Sequence, residues 1–310
     1  MMSRRALALL AVLTTGALLA AQQPHIVNGQ LSPRPAGGDL SQTFRSLTGA
    51  QADVAWIGYA VPVRDRNRTS CCWSSADGTT NFSGTMTSGN MPCCGACRLE
   101  PAAQGGAPAA RATGTTTPPG PIKLEGAERI AVLFRIVDRQ VERIRTYSED
   151  CQLDAGGTAV HWLQDVRAAD SVSLLASLID AQPTSKSRVT NAALMAISQH
   201  AEPSAPRVIE RLARSHAASG VRGDALFWLA QMAGETVAGT ITAAIANDPD
   251  TDVKRRAVFA LSQLPKSEGV PLLIDVARRN ANPAVRKQAM FWLGQSKDPR
   301  AIEFFAEILK

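Results

Sequence analysis

The sequence predicts a mixed architecture: a small disulfide-rich β lobe at the N-terminal side, followed by an all-α solenoid of stacked helix pairs. Three observations predict it. A pattern recurs every 32 residues through the last part of the chain: Val189, Val221, Val253 and Val285 keep the spacing, as do Ala193, Ala225, Ala257 and Ala289, and Gln199, Gln231, Gln263 and Gln295. All six cysteines precede these repeats. The same half of the chain holds three short runs rich in β-branched and aromatic residues, at 54–61, 130–137 and 141–147. A fixed period in this range marks units that cannot bury their apolar faces alone and must stack. At 310 residues, with 45% hydrophobic and 19% charged side chains, the chain has room for two modest domains.

Residues 1–21 read as a secretory signal. Arg4 and Arg5 supply the positive end, an apolar run follows from Ala6 to Leu13, and Ala20-Ala21 offers small residues for cleavage before Gln22. The run is short for a membrane span; a retained anchor, and with it membrane association, is the alternative. The chain is therefore expected to be exported, to a periplasm or beyond the cell. Residues 22–50 contain Pro24, Pro33, Pro35, Gly37 and Gly38 without periodicity, and predict a flexible leader.

Residues 51–168 predict the cysteine-rich β lobe. Val54 to Val61 has strand composition and Pro62 marks its end. Ile130 to Val137 and Val141 to Tyr147 predict a hairpin turning at Asp138-Arg139-Gln140. Between these strands, residues 101–121 are Ala, Gly, Thr and Pro with almost no bulky side chains, which predicts a disordered loop. In an oxidising compartment Cys71, Cys72, Cys93, Cys94, Cys97 and Cys151 form an even set of disulfide candidates, with fifteen possible connectivities.

Residues 169–310 predict the solenoid: four repeats of 32 residues and a C-terminal capping helix. Each repeat has a first helix, a short turn and a second helix. Asn282-Pro283 and Asp298-Pro299 pair an N-cap residue with Pro at the first helical position, and Asp250 repeats the cap of Asn282 one period earlier. Within a second helix, Val285, Ala289 and Leu293 form one buried stripe. Ile302, Phe304, Phe305, Ile308 and Leu309 give the apolar face of the capping helix.

The pattern Val-Arg-x-x-Ala plus a large apolar residue, at Val221-Arg222-Gly223-Asp224-Ala225-Leu226 and Val285-Arg286-Lys287-Gln288-Ala289-Met290, resembles HEAT repeats, in particular the short PBS-lyase HEAT-like form. The resemblance covers about residues 169–310 and implies right-handed stacked helix pairs. The blocks Cys71-Cys72-Trp73, Cys93 to Glu100 and Ser148 to Gly157 resemble exported bacterial HEAT-repeat proteins of unassigned function, and this second likeness transfers no activity.

Chemistry-bearing patterns are sparse. Cys94-Gly95-Ala96-Cys97 resembles a thiol–disulfide exchange motif, but Pro101 and the following tract leave no room for the helix that lowers the thiol pKa in such proteins. Structural staples are the preferred reading, with exchange and metal binding as alternatives. No Ser-His-Asp grouping or Gly-rich phosphate loop is present, so no catalytic residue, metal ligand or cofactor is assigned. The repeated glutamines Gln199, Gln231, Gln263 and Gln295 end the second helices and predict a structural framework.

Partner-binding candidates are what varies at fixed register. Trp228 and Trp292 share a position with Ala196 and Ala260; Arg222, Lys254, Arg255, Arg256, Arg286 and Lys287 cluster at corresponding turns and predict a basic ridge. Such a ridge would suit an acidic protein segment or an anionic envelope polymer. The net charge of +6 is too diffuse for a nucleic-acid footprint. The expected function is an exported, non-enzymatic scaffold for a protein partner in the cell envelope. The alternative is a thiol-exchange or metal-binding module in the N-terminal lobe, with the solenoid as its substrate arm.

Overall fold

The computed structural model describes residues 23–66, 69–72, 83–86, 97–100, 127–181, 188–232 and 237–309. The predicted signal segment, the 101–121 loop, Cys93 and Cys94 lie outside the described residues. In chain order the first elements are β1 (His25–Val27), β2 (Gln30–Pro35), α1 (Leu40–Ala50), β3 (Ala55–Pro62), β4 (Thr69–Cys72), β5 (Ser83–Met86), β6 (Cys97–Arg98), β7 (Arg129–Val137), β8 (Gln140–Ser148), β9 (Gln152–Asp154) and β10 (Ala159–Gln164).

The expected flexible leader is a correction: residues 25–50 are built into the fold. Strand β2 forms the edge of a five-stranded sheet of order β2-β10-β3-β7-β8, parallel to β10. Pro33 and Pro35 are tolerated there because one side of an edge strand has no ladder partner for the missing N–H. Helix α1 starts at Asp39, whose side chain accepts from Gln42 N–H at 3.0 Å. Leu40, Phe44 and Leu47 fall on one helical face and are buried. Phe44 meets Phe134 of the sheet edge-on, with ring centroids 4.8 Å apart.

The sheet is covered on both faces, which explains why β3 reads as an unbroken apolar run rather than an alternating one. Ile57, Tyr59 and Val61 enter the main core with Val132 and Phe134 of β7, while Trp56 and Ala60 face a second cluster with Leu133, Tyr147, Leu153 and Trp162. Gly58 permits this packing: a Cβ there would lie 2.7 Å from Leu133 Cδ2. The β7–β8 hairpin forms where predicted. Asp138 and Arg139 both take positive φ, 49° and 60°, the geometry of a type I′ turn. A smaller parallel sheet of order β1-β9-β6 lies beside it, and β4 pairs with β5. Cys151, buried at the end of the hairpin, immediately precedes β9, and Cys97 lies on the neighbouring strand β6. Cys71 and Cys72 lie on β4.

The remaining elements are helices: α2 (Ala168–Asp180), α3 (Arg188–Gln199), α4 (Ala205–Ser215), α5 (Ser219–Gln231), α6 (Val237–Asn247), α7 (Thr251–Ser262), α8 (Lys266–Arg279), α9 (Pro283–Ser296) and α10 (Pro299–Ile308). They form successive antiparallel pairs, α2/α3 through α8/α9, and α10 packs on the last pair, as in a HEAT-like solenoid. The second helices α3, α5, α7 and α9 stack more closely on one another than the first helices do. The predicted caps close: Asp250 accepts from Asp252 N–H at 2.7 Å, Asn282 from Ala284 N–H at 2.9 Å, and Asp298 from Arg300 N–H at 3.0 Å. Among the described residues no helix is long and apolar enough to cross a membrane.

One hydrophobic cluster runs without a break from the sheet into the solenoid, from Phe44 and Tyr59 to Leu293 and Phe304. Backbone contacts seal the junction: Arg64 N–H donates to Gln199 O at 2.8 Å and Ala201 N–H to Pro62 O at 2.9 Å. Arg64 also donates a side-chain N–H to Met232 O at 3.1 Å, reaching α5's C-terminus. The β region is therefore the N-terminal abutment of the stack.

Candidate partner-binding face

The second helices carry two opposite rows of side chains. Val221, Ala225 and Leu229 of α5 repeat as Val253, Ala257 and Leu261 of α7 and Val285, Ala289 and Leu293 of α9, all buried. The other side is aromatic. Phe227, Phe259 and Phe291 share one register of the 32-residue period, beside Trp228 and Trp292. Their rings touch in sequence. Phe227 stacks on Phe259 at 5.6 Å with planes 4° apart, and Phe259 meets Trp292 at 4.9 Å. Trp228 and Trp292 each lie edge-on to the phenylalanine before them. The ladder ends on Phe291, which is 53% exposed. This row of phenylalanines was readable in the sequence by the spacing that revealed the valines, and was missed there.

The predicted basic ridge divides into two sets. Arg222, Lys254 and Arg286 stand at one register and turn into the fold. Arg222 forks onto Asp248 at 2.7 and 2.9 Å and donates to His216 O at 2.9 Å. Lys254 Nζ donates to Ala246 O at 3.1 Å, and Arg286 donates to Asn280 O and Ala281 O at 2.7 and 3.0 Å. Each cation thus closes carbonyls at the C-terminal end of the preceding helix, where the helix dipole favours positive charge. Burial works against ionisation of Asp248, yet the Arg222 fork and the Asp250 N–H hold its carboxyl below the usual range.

Arg255, Arg256 and Lys287 face outward. Arg256 pairs across to Asp224 of α5; burial pushes the Asp224 carboxyl up against the pull of that guanidinium. Arg255 reaches Asp252 at 3.3 Å, with both side chains exposed. A cleft of about 470 Å³ opens between α7 and α9, lined by Asp252, Arg255, Arg256, Phe259, Gln288 and Trp292.

Trp228 and Trp292 are partly buried and pack on the main core with one edge on this face. The glutamines do not form a uniform ladder. Gln199 and Gln231 are half-buried, Gln263 is exposed and donates to Ser262 Oγ at 3.1 Å, and Gln295 lines a second cleft with Trp292 and Lys266.

In the N-terminal lobe, Glu100 binds Trp56 Nε1 at 2.8 Å and the Arg135 guanidinium at 2.8 and 2.7 Å, tying the segment after Cys97 onto the sheet. Burial and the nearby Asp150 charge push the Cys151 thiol up to about 12, opposite to what an exchange nucleophile needs. Among the described residues no three His, Cys, Asp or Glu side chains converge as a metal cluster.

Residues 240–310 match the family model of HEAT repeats. Among solved structures, the X-ray structure of YibA from Escherichia coli is similar, at 21% identity over 46% of this chain and 54% of that one, with a TM-score of 0.33. The chain spans about half the length of that structure. No curated protein matches.

Proposed function

We propose that the protein is an exported, non-enzymatic interaction scaffold that holds a protein partner on the outward face of α5, α7 and α9. HEAT repeats generally mediate protein–protein contacts, and the match at residues 240–310 includes α7 and α9. The observation that carries the reading is the continuous aromatic ladder from Trp228 to Phe291, edged by Arg255, Arg256 and Lys287. Aromatic and arginine side chains dominate binding energy at protein interfaces, and a contiguous apolar row rimmed by charge marks an interaction surface. Export rests on the apolar leader and on the even set of cysteines, whose pairing as disulfides belongs to the same proposal.

Site-specific photocrosslinking tests the surface. A photoreactive phenylalanine at Phe259 or Phe291 should capture a discrete partner, while the same group at Ile302 on α10, 67% exposed, should not. Equal capture from all positions, or none, removes this face as the interface. For the location, residues 1–66 fused to a reporter enzyme active only outside the cytoplasm should give activity; a silent but expressed fusion overturns export.

A further inference from the structure

The same face contains one polar group that the fold leaves unmatched, and the repeat shows what is missing. Trp228 and Trp292 occupy one register and hold the same attitude: centroids 5.1 Å and planes 72° for Phe227–Trp228, 4.9 Å and 79° for Phe291–Trp292. Trp228 donates its indole N–H to Asn191 Oδ1 of α3 at 2.9 Å. Two repeats on, the register of Asn191 is occupied by Arg255. A guanidinium offers donors and no acceptor. No acceptor among the described residues reaches Trp292 Nε1, which is enclosed. An enclosed donor without a partner is costly, and a ligand oxygen would relieve it.

The surroundings specify the oxygen. Trp292 and Arg255 line the same cleft between α7 and α9, floored by Phe259. Arg255 is held by a 3.3 Å contact to Asp252, whose side chain is 79% exposed, so little opposes its release. Lys287, at the register of Arg255 one repeat on, is exposed on α9. The lining also carries the Asp252 carboxylate and the Gln288 amide, but Asp252 is solvated and holds Arg255 only weakly. The donors of Trp292 and Arg255 together therefore fit an incoming carboxylate, whose two oxygens accept from two donors at once.

Resting on the reading of this face as a protein-binding surface, we propose that the α7–α9 cleft receives a Glu or Asp side chain from an extended acidic segment of the partner. One carboxylate oxygen accepts from Trp292 Nε1–H, which a turn of the partly buried ring brings to the cleft, and the other from Arg255, which leaves Asp252 to do so. Phe259 and Phe291 take the apolar side chains that flank the acid.

The test uses the full chain and a fluorescein-labelled decapeptide of alternating Glu and Phe, with a Gln-for-Glu counterpart and free glutarate as comparisons. The Glu peptide should bind by anisotropy and the Gln peptide at least tenfold more weakly. Trp292→Phe keeps the ring and loses the N–H, so it should weaken binding roughly tenfold, as the loss of one hydrogen bond to a charged group does. Arg211→Gln, an exposed side chain on α4 away from this face, should bind as wild type; Arg255→Gln should weaken binding to a similar extent as Trp292→Phe. In indole ¹⁵N spectra, the signal missing from Trp292→Phe should be the one that moves on titration. Equal binding of Glu and Gln peptides, an unmoved Trp292 signal, no binding at millimolar peptide, or glutarate binding as tightly as the peptide each overturns the proposal. If crosslinking from Phe259 and Phe291 still captures a partner while these fail, the scaffold stands and the carboxylate reading falls; if both fail, the face itself is wrong.

Discussion

Ser171 Oγ lies 2.7 Å from His200 Nε2 in the interior, and neither side chain is exposed to solvent. The proton directions follow from the ends of the chain of bonds. His200 Nδ1 faces Ala196 O at 2.6 Å, and a carbonyl only accepts, so Nδ1 carries the hydrogen and Nε2 accepts from Ser171. Ser171 Oγ in turn accepts from Tyr59 O–H at 2.8 Å. A serine–histidine contact that would suggest a nucleophile on a surface is here a bolt joining β3, α2 and the end of α3.

That bolt predicts acid sensitivity. Burial holds His200 in its neutral form and lowers its pKa from 6.5 to about 4, although the Ala196 carbonyl and Glu202 favour the cation. The unfolded chain binds the proton first, so stability is intact above pH 6.5 and falls as pH drops towards 4. At about 1.4 kcal/mol per pKa unit the loss is about 3 kcal/mol. Urea midpoints measured between pH 7.5 and 4 should fall in this window, and His200→Gln should flatten that part of the profile. An unchanged slope in the variant would assign the acid loss to other groups.

Removing the middle of the chain should cost more than removing its end. Ser171→Ala leaves both Tyr59 O–H and His200 Nε2 buried without partners, at about 3 kcal/mol, whereas Tyr59→Phe leaves the Ser171–His200 bond in place and costs about 1 kcal/mol. Chemical denaturation of the two variants decides, and the opposite order would refute Ser171 as the shared partner of the other two.

The two arginines of the inward register should differ in the same sense. Arg222→Ala strands Asp248, whose side chain is 7% exposed, and should cost about 3 kcal/mol. Arg286→Ala removes bonds to carbonyls near the surface and should cost about 1 kcal/mol. Equal losses would mean that the Asp248 pair adds nothing beyond helix capping.

Gly269 lets α8 approach the end of α7. A Cβ there would stand 2.4 Å from Leu261 O, a backbone atom that cannot rotate away. Gly269→Ala should therefore force the two helices apart and destabilise by about 1–3 kcal/mol, although Ala is the better helix former. A gain in thermal midpoint, the usual result of Gly→Ala in a helix, would show that the junction has slack.

The sequence by itself determined the helix pairs, their caps and the hairpin, because each depends on residues close along the chain. The period placed Val285, Ala289 and Leu293 on one stripe; Asp250, Asn282 and Asp298 cap within two residues of themselves; Asp138-Arg139 turns between two apolar runs. The aromatic row was equally present, since residues at one register of a stack must align, and Phe227, Phe259 and Phe291 keep the spacing. Tertiary structure alone decided what depends on distant partners. The proline-containing segment Gln30–Pro35 is a strand only because β10, far along the chain, supplies its parallel neighbour. Arg222 turns inward because Asp248 ends the adjacent helix, while Arg255, one position off that register, faces outward onto the exposed Asp252. Trp228 and Trp292 are the same residue at the same register, and they differ because one faces an asparagine that can accept and the other an arginine that cannot.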